Sequence, residues 1–317
     1  MTTPSAGRVH IQEVAPRDGF QIEPRWVETA DKIAFINAMS RTGVSKIEVS
    51  SFVSPKAVPM LRDAEEVFRA IERRPGVVYV ALIPNARGAE RAFAAKVDEF
   101  NFVMSASETH NRANMRMSTD QSLEALRGIM DLARGVSVSK HASLATSFGC
   151  PFEGAVPLER VLSFVARYLD LGITGITLAD TTGMANPRSI AAVIEPAAQR
   201  FPHMRLGLHL HNTRGLGLAN ALAGLDRGIR DFESSIGGMG GCPYAPLAVG
   251  NICTEDFVHM LHGMGYETGL DLDLLVAAAR MTEDILGARL PGMVLRAGKA
   301  SELHDPEKKR DKPVAAE

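Results

Sequence analysis

Tryptophan occurs once and cysteine three times in 317 residues. Three thiols (Cys150, Cys242 and Cys253) make no disulfide framework for so long a chain, so apolar packing in a reducing compartment is expected to hold it together. No apolar run approaches the ~20 residues of a spanning helix. The opening "MTTPSAGRVH" lacks the apolar core of a signal peptide, and the closing "VAAE" is neither an ER nor a peroxisomal address. These absences predict a cytoplasmic protein with no membrane partner. An excess of one charge is missing too. Lys and Arg number 35 against 37 Asp and Glu, a net charge of −2, so no nucleic-acid partner is expected. What the chain does have is 45% hydrophobic and 23% charged residues, enough for a large core.

Short β-type runs alternate with longer stretches of helical periodicity. The runs are "RVHIQEV" (8–14), "KIEVS" (46–50), "VVYVALI" (77–83), "EFNFVM" (99–104), "VSKHASLA" (138–145), "GITLAD" (175–180), "RLGLHL" (205–210) and "DFESS" (231–235). Helical spacing covers 29–43, 158–172 and 215–229, with Pro157 expected at the first position of the second. Eight strands with helices between them, and no linker inside, predict an α/β chain folded as a (β/α)8 TIM barrel with a C-terminal helical extension. An open doubly wound sheet is the alternative, but no GxGxxG follows the first run, which speaks against its nucleotide-binding version. Residues 1–298 are read as one catalytic domain and 299–317 as a polar, frayed tail.

Barrel chemistry gathers at the C-terminal ends of the strands. In "LGLHLHNTRG" (206–215), His209 and His211 stand at i and i+2 and project to one side of a strand. One histidine in an apolar strand is usually a satisfied core residue; two together, followed by Asn212, point to a metal. Asp18, between Arg17 and Gly19 past the first run, would meet them in one mouth, although Asp-Gly is also a common turn. The glycine-rich stretch 234–257, read as a loop able to move over the site, carries Cys242, Asn251 and Glu255. One carboxylate, two imidazoles and an amide oxygen suit Mg²⁺ or Mn²⁺ better than structural Zn²⁺. Glu48 and Asp180 are further strand-tip carboxylates, equally open to reading as caps or as partners of metal-bound histidines.

The stretches "EVAPRDGFQIE", "IEVSSFVSPKAVPM", "GCPFEG", "LADTTG", "HLHNTRGLGLANALAGL" and "GGMGGCPYAPLAVGNICTEDFVHML" together resemble the 3-hydroxy-3-methylglutaryl-CoA lyase family of metal-dependent barrel lyases. The resemblance implies retro-Claisen cleavage of a 3-hydroxyacyl-CoA to acetyl-CoA and a keto product, the reaction of leucine catabolism when the product is acetoacetate. It implies Asp18, His209, His211 and Asn251 as ligands of Mg²⁺ or Mn²⁺, and Arg17 facing the thioester oxygen. Cys242 would be the loop cysteine, and Glu48, Asp180 and Glu255 supporting catalytic residues. An acyl-CoA partner and a homo-oligomer, a dimer by preference, follow as well. Lys56 and Arg87 are candidate phosphate contacts, equally explained as solvated surface. The chain departs from the family where "GYVSCALGCPYEG" is common and this sequence reads "ASLATSFGCPFEG" (142–154). "GLQNE" becomes "GFQIE" and "HxHDTYG" becomes "HLHNTRG". The departures put the acyl group in question more than the reaction, and a differently branched 3-hydroxyacyl-CoA is the second reading. An acetyl-CoA-dependent Claisen synthase, a keto-acid aldolase and a catalytically silent binding barrel are the rivals.

Overall fold

The structure, a computed structural model, describes residues 6–241 and 250–303. Eight parallel strands close on themselves in chain order: β1 (His10–Glu13), β2 (Lys46–Ser51), β3 (Val78–Leu82), β4 (Glu99–Ser105), β5 (Ser139–Ala145), β6 (Gly175–Asp180), β7 (Arg205–Leu210) and β8 (Asp231–Ser234). The seam pairs His10 with Asp231 and Glu13 with Ser234. This is the expected TIM barrel. Outside lie α1 (Thr29–Met39), α2 (Ala64–Ala70), α3 (Ala86–Ala94), α4 (Glu108–Met115), α5 (Thr119–Leu132), α6 (Leu158–Asp170), α7 (Pro187–Arg200) and α8 (Gly217–Leu225). Three more helices follow the last strand: α9 (Thr254–Gly263), α10 (Leu272–Leu286) and α11 (Met293–Ala297). Among the described residues no helix is long and apolar enough to cross a membrane.

The strands alternate apolar and polar side chains, and closure decides where each set goes. Phe93 of α3 packs 4.9 Å from Phe100 of β4, and Phe257 of α9 lies 5.1 Å from Phe232 of β8, ring centre to ring centre. The apolar face therefore points outward, into a core shared with the helices. The polar face points into the barrel. Lys46 of β2 donates to Glu99 of β4, Asn101 of β4 to Glu48 of β2, and Thr177 of β6 to Glu233 of β8. Each of these bonds joins strands that are not neighbours, so it crosses the interior.

The helix ends follow local chemistry. Asn186 caps α7 with Pro187 at its first position, and Ser118 and Gln121 form a capping box on α5. Pro157 is itself the N-cap of α6, one place earlier than expected. The 29–43 stretch is helical only to Met39, because the hydroxyls of Ser40 and Thr42 turn back onto the carbonyls of Ile36 and Met39. The 215–229 stretch is helical over Gly217–Leu225, beginning where the Asn212 side chain accepts the Gly217 N–H. The predicted polar tail beyond Leu303 lies outside the described residues.

Gly43 ends the α1 turn at φ +91°, and a Cβ there would lie 2.0 Å from the Gly269 carbonyl oxygen. That contact seats the lead-in to α10 against the barrel. Gly43→Ala is expected to cost about 2 kcal/mol or more, through left-handed strain and the clash with a backbone that cannot yield. A thermal midpoint unchanged by calorimetry would show that α10 does not depend on this approach.

Candidate metal centre and active site

After β1 the chain makes a single π-helical turn, Ala15–Gly19, which presents Arg17 and Asp18 at the barrel mouth. Gly19 holds ordinary right-handed backbone at φ −68°, so its value is not turn freedom. A Cβ there would lie 3.0 Å from Met239 Cε, so what the missing side chain supplies is room. Asp18, His209 and His211 are buried, and each offers a ligand atom within 4.8 Å of the others'. The two imidazoles meet Nε2 to Nε2 at 3.0 Å. Asn251 is drawn in by a short bridge to His211, just beyond β7. Its Nδ2 donates to Asp18 Oδ2 at 2.6 Å and to the Met239 carbonyl at 2.9 Å. Its Oδ1 is buried and accepts no hydrogen bond. Gly240 arches over this group: a Cβ would sit 2.4 Å from Asn251 Nδ2 and 2.7 Å from Asp18 Oδ2. Three ligand atoms and an orphaned amide oxygen, under a cover that only glycine permits, fit a hard divalent cation.

Arg17 is clamped on two sides. Its Nε donates to Glu48 Oε2 at 2.6 Å and its Nη1 to Asp18 Oδ1 at 2.5 Å. Burial works against the guanidinium charge, but Glu48 and Asp18 outweigh it and keep it protonated. Burial likewise favours a neutral Asp18, yet Arg17, the two histidines and Asn251 hold its carboxyl below the usual range. Glu48 is pushed up, first by burial and then by the charge of Glu233, with Arg17 and Asn101 opposing. His209 is raised in spite of its burial, because its Nδ1 lies 2.9 Å from the Glu233 carboxylate.

The sequence profile of the HMGL-like family matches residues 8–282. The chain is 46% identical over 298 residues to the hydroxymethylglutaryl-CoA lyase of Bacillus subtilis, covering 94% of this chain and 100% of that one. It is 42% identical over 301 residues to the (R)-citramalyl-CoA lyase of Chloroflexus aurantiacus, covering 92% and 95%. The chain belongs to the HMGL-like family. Its fold superposes with a TM-score of 0.92 on an HMG-CoA lyase from Acenitobacter baumannii in complex with coenzyme A and 3-methylmalate, at 49% identity over 96% of this chain and 99% of that one.

In this HMGL-like barrel, Arg17, Asp18, Glu48, His209, His211 and Asn251 come together at the mouth. Asp180, at the tip of β6, turns its carboxylate onto its own loop and accepts the Met184 and Ala185 N–H groups. Glu255 is not on a loop: it lies in the first turn of α9 and accepts the Gly237 N–H. Cys242 lies outside the described residues. Lys56 and Arg87 are exposed, in the segments following β2 and β3. The sequence reading missed four residues that support the site. Glu233 holds His209, Gln21 donates to Asp18 at 2.9 Å, and Asn101 joins Glu48 to Ser143. For Asn101 and Glu233 the signal was a polar side chain next to a phenylalanine in a strand, as in "EFNF" and "DFES"; Gln21, in the turn Phe20–Ile22, gave none.

Burial pushes the Asp180 carboxyl up to about 6, against its two backbone hydrogen bonds and the charges of His209 and Arg214. A raised carboxyl contributes stability below its unfolded value of 3.8 and loses it as the pH rises through about 6. The protein is therefore expected to lose on the order of 3 kcal/mol relative to Asp180→Asn across that window. Urea unfolding at each pH checks this, and parallel stability curves would show that folding does not shift Asp180.

Proposed function

We propose that the protein is a divalent-cation-dependent carbon–carbon lyase that cleaves 3-hydroxy-3-methylglutaryl-CoA, or a closely related branched 3-hydroxyacyl-CoA, to acetyl-CoA and a keto product. The observation that carries the reading is the convergence of Asp18, His209, His211 and the unpaired Asn251 Oδ1 beside a buried arginine. These four residues are the ligands in this reading, with Mg²⁺ or Mn²⁺ as the cation. A cation held there would supply Lewis-acid charge to substrate oxygen.

The rest is done by the chain's own groups. The tertiary hydroxyl gives up its proton to a carboxylate or imidazole at the mouth, and the carbonyl forms at C3 as the C2–C3 bond breaks. The released electron pair passes into an acetyl-CoA enolate. Arg17 faces that oxygen with a guanidinium already oriented by Glu48 and Asp18, so little rearrangement is needed as charge develops. Carbon protonation of the enolate completes acetyl-CoA, and Cys242 is the proposed donor. Glu48 keeps Arg17 in place, while Asp180 and Glu255 brace the segments around the mouth. In the same reading residues 1–298 form one catalytic domain, the compartment is the cytoplasm and the assembly is a homodimer.

Two relatives support different acyl groups, since one is a hydroxymethylglutaryl-CoA lyase and the other a citramalyl-CoA lyase. The structural relative was captured with coenzyme A and 3-methylmalate, a branched hydroxydicarboxylate. A panel of 3-hydroxyacyl-CoA thioesters with Mn²⁺-loaded protein, read for acetyl-CoA and the keto product by mass spectrometry, decides among them. No acetyl-CoA from any member would end the lyase reading. Asp18→Ala is expected to lose both Mn²⁺ uptake and metal-dependent turnover, and near-normal metal content in that variant would remove Asp18 from the ligand set. Arg17→Gln should keep the metal and lose about 10²–10³-fold in turnover, the usual penalty for removing an oxyanion donor. An unchanged rate would take Arg17 out of the chemistry.

A further inference from the structure

A cavity of about 400 Å³ opens at the N-terminal end of the barrel, away from the mouth that holds Asp18 and Asn251. Lys46, Glu99, His141, Thr177 and Glu233 are in its wall. From it a continuous line of hydrogen bonds runs through the barrel to the candidate metal site. His141 Nε2 lies 2.8 Å from Thr177 Oγ1, and Thr177 Oγ1 lies 3.1 Å from Glu233 Oε1. Glu233 Oε2 lies 2.9 Å from His209 Nδ1, and His209 Nε2 faces His211.

The direction of the bonds from His141 to His209 follows from donor chemistry. An ionised carboxylate only accepts, so Thr177 donates to Glu233 and its oxygen is left to accept from His141 Nε2–H. His209 must then present Nδ1–H to the other carboxylate oxygen, and in its neutral form this leaves the Nε2 lone pair on the side of His211 and Asp18, where a cation would sit. The barrel wall is cut to admit the line. Gly175 stands in register with His141, and a Cβ on it would lie 2.7 Å from His141 Nδ1. Gly207 stands in register with Thr177, and a Cβ on it would lie 3.0 Å from Thr177 Oγ1. A purely structural bond between neighbouring strands has no need of a bare backbone on both partner strands.

We infer that His141 and Thr177 are positioning residues: through Glu233 they lock His209 in its Nδ1–H tautomer, so that the grip on the cation is set partly from the opposite end of the barrel. The inference rests on the lyase reading for the identity of the cation, and on geometry alone for the tautomer. Two measurements test it. In metal-free protein labelled with ¹⁵N-histidine, at a pH high enough that His209 is neutral, long-range ¹H–¹⁵N correlation is expected to show His209 as a single Nδ1–H tautomer in the unaltered protein and in Thr177→Ser. In Thr177→Val a mixture of tautomers is expected. Calorimetric titration with Mn²⁺ alone is expected to give roughly tenfold weaker binding for Thr177→Val and near-normal binding for Thr177→Ser, the lower end of the loss seen when a ligand's hydrogen-bond partner is removed. Gly175→Ala, which displaces the His141 ring and touches neither hydroxyl nor carboxylate, should move both readouts in the same direction. If Thr177→Val does not fold, Gly175→Ala against Thr177→Ser carries the comparison. A pure Nδ1–H tautomer together with Mn²⁺ affinity within twofold of the unaltered protein in the perturbed variants would overturn the inference. Failure of the unaltered protein to bind Mn²⁺ at all would condemn the lyase reading instead, and the tautomer measurement would still judge the chain of bonds.

Discussion

Inside a closed barrel a charge has no water to turn to, and an unpartnered one costs several kcal/mol. Here the interior holds many charged and polar groups, and most of the charged ones are answered from across the barrel. Lys46 meets Glu99, Arg17 meets Glu48, Thr177 and His209 meet Glu233, and Asn101 ties Glu48 to Ser143. The pairing works only while the strands keep their register, because several of the bonds cross from β2 to β4 or from β6 to β8. Strand register and site geometry are thus one constraint. A slip of a single residue would turn these groups outward into the apolar layer under the helices and strand their partners in the interior.

The same constraint makes the mouth rigid before any substrate arrives. Arg17 is fixed by two carboxylates, Asn251 by Asp18 and a backbone carbonyl, and His209 by Glu233. Electrostatic stabilisation is most effective when donors need not reorient as charge develops.

The strand order was legible because the outward faces are strongly apolar and separated by helical spacing; each strand falls within about two residues of its expected limits. The histidine pair was legible because i, i+2 spacing within a strand admits one geometry. Glu233, Thr177, His141 and Asn101 stood in equally regular places, between Phe232 and Ser234, Ile176 and Leu178, Lys140 and Ala142, and Phe100 and Phe102. Alternation in one strand ordinarily means a wet face and a dry face. Only closure into a barrel turns the polar face inward, and closure is a property of all eight strands together. Glu255 was misplaced for a different reason. The glycines and prolines before it gave no helix signal, and its place in the first turn of α9 comes from tertiary bonds, its own to the Gly237 N–H and that of Thr254 to Glu13.

The contacts that hold Arg17 do not end at the mouth but continue across the interior to β5. The stretch that departs most from its family, 142–148, is the end of β5 and the turn beyond it. Ser143, where the family commonly has tyrosine, donates to Asn101 Oδ1 at 3.0 Å. Asn101 in turn donates to Glu48, and Glu48 holds Arg17. Replacing Ser143 would remove the hydroxyl that Asn101 Oδ1 accepts from, and Asn101 is one of the donors that stabilise the Glu48 charge. A change at 143 is therefore felt, through Asn101 and Glu48, at the Arg17 guanidinium.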